Sequence, residues 1–454
     1  MSATIEANRG RAGETPHLLV LAARYPSLRQ PWLDTYLEQL INQRISFRIV
    51  SGLATVDRYH PKVDRPRLRE LAIPFRLAAG DTLQAVVASF KSKPVGKALR
   101  AYRFWRALLP ETTLRSKVSA WLRALQAAAI VDNWPMVRAV HAHSIDMAYD
   151  FLPIIRDAGL KLLVTYHGLK PAGVPQDPLH RQQAVIRNAT CTLVNTRSSV
   201  PVVEALGAHL TRIAILPQAT SLEEFPFTPV APPKPHEQLR VITVGRFQRE
   251  KGQEYGLLAL RRLRDAGFDV HWTFVGVGTE LPRFRRLAQR LNLDQHVTWH
   301  EGLTIEALRD EYHRSHILVL SSLAPKRSSE WTETQGVAVQ EAQASGCLVI
   351  ATEVGGLLDC ITDGEDGFLI TDGSHRAITE TIATLVRNPN SCARVRVAAR
   401  RTVVRRFAAP VIGAQFSALL ATAIEGGETR GIQAAPNSAP SDRHGSDRRF
   451  ATPE

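Results

Sequence analysis

The chain holds 454 residues, enough at roughly 100–200 per domain for two or three domains with large buried cores, so a small module stapled by disulfides or a metal is excluded. Hydrophobic residues make up 44% and charged residues 22%, and no run approaches the ~20 apolar residues of a membrane-spanning helix. Lys plus Arg exceed Asp plus Glu by 57 − 43 = 14, which calls for an anionic partner: nucleic acid, a phosphorylated substrate or an acidic membrane face.

Residues 1–15 are polar and lack the hydrophobic segment of a secretory signal, so they read as a flexible N-terminus. Cys191, Cys347, Cys360 and Cys392 form neither a CxxC metal pair nor a disulfide framework, and a cytoplasmic location is the expectation. From residue 16 the pattern alternates. Short apolar runs at His17–Ala23, Phe47–Val50, Val137–His141, Leu160–Thr165, Cys191–Val194 and Ile213–Leu216 have the length of buried parallel strands, with segments of helical period between them, one carrying Trp32, Tyr36 and Leu40. Residues 16–224 therefore read as one Rossmann-like unit.

Phe225 to His236 contains five prolines in twelve residues, which neither a helix nor a sheet interior accepts, so 225–238 reads as a linker. The alternation restarts with strands at Leu239–Val244, Val270–Val275, Val297–His300, Ile317–Ser321 and Cys347–Thr352. Helices are expected over about Gln253–Ala266, Glu280–Leu291, Ile305–His313 and Val337–Ser345. The expected fold class is α/β, two doubly wound Rossmann-like domains. Residues 239–390 form the second, 391–425 a C-terminal helical segment, and 426–454, nearly devoid of large apolar residues, a disordered tail.

Two clusters carry chemistry. In Val244-Gly-Arg-Phe-Gln-Arg-Glu-Lys-Gly252 a strand ends, a polar turn follows and a helix begins; Gly245 permits close backbone approach, Arg246 and Lys251 supply cations, and the helix N-terminus adds partial positive charge. Together these make a diphosphate clamp. Ser329 to Gly346 holds Glu333 and Glu341 eight positions apart, the first in a loop and the second on a helix starting near Gly336, so that both can border one crevice and accept hydrogen bonds from sugar hydroxyls.

The GR-x-x-x-x-KG turn and the E-x7-E element, about eighty residues apart in one Rossmann-like unit, resemble the donor half of retaining family-four glycosyltransferases of the GT-B fold. The stretch Glu333 to Gly346 is most similar to bacterial exopolysaccharide and colanic-acid-type transferases. The resemblance implies two domains facing a central cleft. It also implies a nucleotide diphosphate held by Gly245, Arg246, Lys251 and the helix start at Gly336 and Val337, a ribose bound by Glu341, and a donor sugar touched by Glu333, with Glu330 a rival carboxylate for that role. Leu160-Lys-Leu-Leu-Val-Thr-Tyr-His-Gly168 resembles the family's strand-ending Thr-x-His-Gly, placing His167 in the cleft near the donor sugar; His141 and His143 end a neighbouring strand.

No two aspartates are separated by one residue, so the DxD of metal-dependent GT-A enzymes is missing, as are GxxxxGK(S/T), HExxH and GxSxG. No metal and no cofactor are expected. Ser89–Arg123 carries nine cations against Glu111 alone, with Val95, Leu99, Tyr102, Trp105 and Leu109 on one helical stripe. That segment reads equally as a core-packing helix or as one lying on an anionic membrane surface. Nucleic acid is disfavoured by the lack of any binding module. The expected function is transfer of a sugar from a nucleotide-diphosphate donor to a glycan or lipid-linked glycan acceptor, at the inner membrane face. A non-catalytic nucleotide or lipid-head-group binding protein is the alternative.

Overall fold

The computed structural model describes residues 17–25, 31–53, 68, 70–75, 123, 126–168, 178–231, 233, 237–325 and 332–427. Two parallel sheets organise it. The first contains β1 (Leu18–Arg24), β2 (Phe47–Leu53), β3 (Ala72–Pro74), β4 (Ala139–Ala142), β5 (Lys161–Tyr166), β6 (Cys191–Val194) and β7 (Ile213–Ile215), in the order β3-β2-β1-β4-β5-β6-β7. The second contains β8 (Leu239–Val244), β9 (Val270–Val275), β10 (Val297–His300), β11 (Ile317–Leu320), β12 (Leu348–Thr352) and β13 (Phe368–Ile370), in the order β10-β9-β8-β11-β12-β13.

The helices are α1 (Pro31–Asn42), α2 (Ile145–Asp157), α3 (Leu179–Asn188), α4 (Gln253–Asp265), α5 (Leu281–Arg290), α6 (Ile305–Arg314), α7 (Val337–Ser345), α8 (His375–Arg387), α9 (Pro389–Arg406) and α10 (Ala409–Glu425), beside shorter turns. Their ends follow local chemistry. Ser144 and Thr304 cap α2 and α6 by accepting from the N–H groups of Met147 and Ala307, and Gly346 ends α7 in the left-handed region that a side chain resists. The apolar runs became strands because both faces of each sheet are covered: Leu18 to Leu21 are all fully buried, as are Val241, Ile242, Val319 and Ile350.

Strand and helix positions follow the apolar runs closely, but β3 and β13 had no such signal. Each is three residues long and pairs only at a sheet edge, so neither needs a long apolar run. The larger surprise lies at the C-terminus. The chain passes between Thr220 and Ala409, where Thr220 N–H donates to Phe407 O at 2.8 Å and Ala409 N–H to Thr220 O at 3.0 Å. Beyond that bridge α10 leaves the second sheet and buries Ile412, Phe416, Leu419 and Leu420 in one hydrophobic core with Leu33, Leu37 and Leu40 of α1. The membrane-facing reading of residues 89–123 falls outside the described residues except for Arg123, whose Nε lies 3.0 Å from Asp150 Oδ1.

In each sheet the strand order reverses once, between β1 and β4 and between β8 and β11. Connections diverge there to opposite faces, leaving a crevice at the carboxyl ends where ligands bind in open α/β sheets.

Candidate functional site

At the reversal of the second sheet, the turn after β8 meets the loop after β11. Gly245 N–H donates to Val275 O at 2.9 Å, and Gln253 Nε2 donates to Arg246 O at 2.7 Å, which fixes the turn. Ser321 Oγ donates to Gly252 O at 2.8 Å. A Cβ on Gly252, whose φ is +64°, would lie 2.0 Å from Ser321 O, so only glycine lets the two loops touch. That contact brings Lys251 to Ser322. Lys251 Nζ donates to Glu333 Oε2 at 2.5 Å and Ser322 Oγ to the same oxygen at 3.0 Å, with Lys251 and Glu333 only 9% and 6% exposed. The main chain of Glu333 is held too, its carbonyl accepting from Gly356 N–H at 2.7 Å.

Gly276 and Gly278, part of a GxG that lacks the third glycine of a dinucleotide fingerprint, have a local role here. A Cβ on them would lie 2.0 Å from Gly245 O and 2.2 Å from Phe247 O, so they let the loop after β9 lie against the Arg246 turn.

Glu341 is placed on α7 as expected, and α7 starts at Val337 after Gly336, with no side chain capping its first turn. The carboxylate of Glu341 accepts from Tyr312 Oη at 3.0 Å. It lines a cavity of about 90 Å³ with Val337, Leu308, Thr220, Trp32 and Glu224. Burial pushes Glu341 up to about 7, against the stabilising Tyr312 hydrogen bond and with Glu224 adding repulsion. Of the two carboxylates expected to border one crevice, Glu341 lines this cavity, while Glu333 is held by Lys251 and Ser322. Glu330 falls outside the described residues.

At the reversal of the first sheet, three histidines meet. His143 Nδ1 lies 3.1 Å from His167 Nε2, and His141 is held between Tyr36 Oη at 2.6 Å and Thr165 Oγ1 at 2.8 Å. Trp32 packs on His167 with ring centroids 4.5 Å apart. The partners of the three rings are one another, hydroxyls, the Gln218 amide and aromatic faces, so burial disfavours the charged form: His167 is lowered to about 4 and His141 to about 3, with mutual repulsion adding to the fall of His141 and His143. This is an uncharged aromatic pocket.

The two sites meet through the residues after Glu333. Thr334 Oγ1 lies 3.5 Å from His167 O, and Thr334 O accepts from Thr196 Oγ1 at 2.7 Å. Gln335 clasps the loop after β7, accepting from Gln218 N–H at 2.7 Å and donating to Gln218 O at 3.0 Å, while Gln218 Nε2 reaches His167 Nδ1 at 3.4 Å. Sequence reasoning missed Gln218, Gln335, Tyr312, Ser322 and Glu224. One signal was available: Gln335 just before α7 and Gln340 and Gln343 within it interrupt an apolar stretch, and buried amides mostly find partners, as these do in Gln218, Thr220 and Asp366.

Among the described residues no helix is long and apolar enough to cross a membrane, and no group of three or more His, Cys, Asp or Glu is placed to hold a metal ion.

Residues 224–402 match the family described as "Glycosyl transferases group 1". A D-inositol 3-phosphate glycosyltransferase of Arthrobacter sp. (strain FB24) is 28% identical over 260 residues, 52% of this chain and 59% of that protein. A GDP-mannose-dependent alpha-(1-6)-phosphatidylinositol monomannoside mannosyltransferase of Mycolicibacterium smegmatis is 27% identical over 180 residues, 40% and 47% of the two chains. The chain thus spans about half to three fifths of the length of these curated relatives. Among solved structures, HepE of Anabaena in complex with UDP and glucose superposes with a TM-score of 0.66 at 15% identity, over 90% of this chain and 100% of that one. Sucrose-phosphate synthase from Thermosynechococcus elongatus does so with 0.66 at 19%, over 90% and 99%. Residues 224–402 are therefore a glycosyl transferases group 1 domain, carried in a chain of the GT-B fold.

Proposed function

We propose that this protein transfers a sugar from a nucleotide-diphosphate donor to a hydroxyl of a glycan or lipid-linked glycan, with retention of configuration and without a metal ion, in the building of an exopolysaccharide or other cell-surface glycan. The observation that carries the reading is the Lys251–Glu333–Ser322 constellation at the strand reversal of the group 1 domain, with the Arg246 turn and the start of α7, which no side chain caps, in the same domain. Bond breaking places negative charge on the leaving diphosphate. Arg246, Lys251 and the first N–H groups of α7 offer it countercharge, which is how preorganised donors stabilise such a transition state.

Glu333 keeps the Lys251 ammonium in place and retains lone pairs for a hydroxyl of the donor sugar. Glu341 and its cavity suit a ribose, since a carboxylate held by Tyr312 can accept from a diol. His167, neutral at pH 7, can donate or accept at the acceptor side of the cleft. The curated relatives, named for inositol phosphate and phosphatidylinositol mannoside substrates, support an acceptor that is a cyclitol or glycolipid as readily as a polysaccharide. A peripheral position on the inner membrane face goes with such an acceptor.

The test is nucleotide release from UDP-, GDP- and ADP-sugars, with and without an extract of cell-surface glycans and lipids, in excess EDTA. Release from one donor, raised by the extract and unaffected by EDTA, is the expected result. Binding of a nucleotide sugar without any release would favour the non-catalytic alternative, and an absolute need for Mg²⁺ or Mn²⁺ would remove the metal-free mechanism.

A further inference from the structure

Two histidines of the first sheet form a chain in which each ring dictates where its neighbour carries a proton. A neutral imidazole has one N–H and one bare nitrogen, so His143 Nδ1 and His167 Nε2, 3.1 Å apart, must share a single proton. Two N–H groups, or two lone pairs, would repel at that distance. Burial keeps both rings neutral: it lowers His167 to about 4 and His143 well below the usual range, with the neighbouring rings adding to the fall of His143. Two arrangements satisfy the pair, one with the shared proton on each ring.

The choice between them is made outside the rings. Gln218 Nε2 lies 3.4 Å from His167 Nδ1, and an amide nitrogen only donates. His167 Nδ1 is then the bare nitrogen, so the proton of His167 sits on Nε2 and points at His143 Nδ1, and His143 carries its own proton on Nε2. Gln218 in turn is held from the other half of the molecule. Its N–H donates to Gln335 Oε1 at 2.7 Å and its carbonyl accepts from Gln335 Nε2 at 3.0 Å, and Gln335 is itself 5% exposed, just before α7. With Trp32 packed on the ring at a centroid distance of 4.5 Å, His167 is held on one face and at both nitrogens.

We propose that Gln218 is a positioning residue for His167: clasped by Gln335, it fixes His167, and through it His143, as the tautomer protonated on Nε2. His167 is thereby a proton donor with no bare nitrogen free to act as a base. The consequence for sugar transfer rests on the transferase reading above; the proton arrangement does not.

The experiment is long-range ¹H–¹⁵N correlation NMR of the full chain labelled with ¹⁵N-histidine, in which bare and protonated ring nitrogens resonate far apart. His143→Gln and His167→Gln assign the two rings by loss of their signals. In wild type both rings should be protonated on Nε2 alone. Gln218→Glu replaces the donor by a carboxylate, so His167 Nδ1 should gain a proton. Gln218→Met removes the donor, and Gln335→Leu releases the clasp without touching either ring; each should give a mixture of the two tautomers. Turnover of a nucleotide sugar by Gln218→Met should fall about tenfold in kcat, the size of one lost hydrogen bond, with donor KM unchanged.

A wild-type His167 protonated on Nδ1 overturns the proposal, and that spectrum needs no variant to fold. So does a His167 Nδ1 that stays bare in Gln218→Glu, or a fall in kcat with no change of tautomer. Wild-type tautomers as expected with no turnover of any nucleotide sugar would sink the transferase reading and leave the proton arrangement standing.

Discussion

The two strand reversals have the same geometry and opposite chemistry. Around the reversal of the second sheet the loops are pinned by main-chain contacts at Gly245, Gly252 and Gly276, and furnished with Arg246, Lys251, Glu333 and Glu341. Around the first, the crevice is filled by neutral rings, His141, His143, His167, Tyr36 and Trp32. A parallel sheet supplies a crevice at each reversal without regard to ligand. What enters is set by side chains, and on the function proposed above the second half takes the charged diphosphate.

The sharpest way to break this contrast is to remove charge from the second site. Lys251→Ala should reduce turnover by roughly 30- to 1000-fold, about 2–4 kcal/mol of transition-state stabilisation, and also lower the melting temperature because Glu333 loses its partner in a buried setting. The double variant Lys251→Met/Glu333→Gln removes both charges and should recover stability but not turnover. Recovery of both would make the pair structural.

The first site should respond to pH instead. A histidine lowered from 6.5 to about 4 binds its proton in the unfolded chain before the folded one, so its stabilisation is present above 6.5 and lost as pH falls toward 4; for His167 that is about 3 kcal/mol at ~1.36 kcal/mol per pH unit. Glu341, raised to about 7, acts in the opposite direction, since its stabilisation is present below 4.5 and lost as pH rises through 7. With His141 and His143 lowered as well, the histidines outweigh it, and the melting temperature should fall between pH 6.5 and 4. His167→Gln should flatten that slope, and an unchanged slope would show that His167 does not contribute to it.

Gln335→Leu tests the seam between the sites. It strands the Gln218 N–H and carbonyl at a cost of about 1–3 kcal/mol, and should lower kcat more than it raises the donor KM, because the nucleotide contacts stay in place. An effect on donor KM alone would make Gln335 part of nucleotide binding. The smallest effect belongs to the exposed cross-seam pair Arg197–Asp359, where Nη1 and Oδ1 are 3.6 Å apart and Arg197 is 45% exposed. Arg197→Ala should cost less than about 1 kcal/mol in chemical denaturation.

Much of this was written along the chain. Apolar runs of strand length separated by helical periods are local patterns, and they placed most strands of both sheets within a residue or two, because a strand buried on both faces must be apolar throughout. The Lys251 turn and the Glu333–Glu341 spacing were equally local. Tertiary structure decided what those residues face. That Lys251 meets Glu333, that Glu341 bonds Tyr312 across α6 and α7, that Gln335 reaches Gln218 and that α10 returns to α1 are contacts between positions 29 to about 380 residues apart. Nothing in a neighbouring residue encodes such a pairing. It follows from which faces the sheets must cover, and so His141 on β4 and His143 and His167 just beyond the ends of β4 and β5 came together only once the two strands lay side by side.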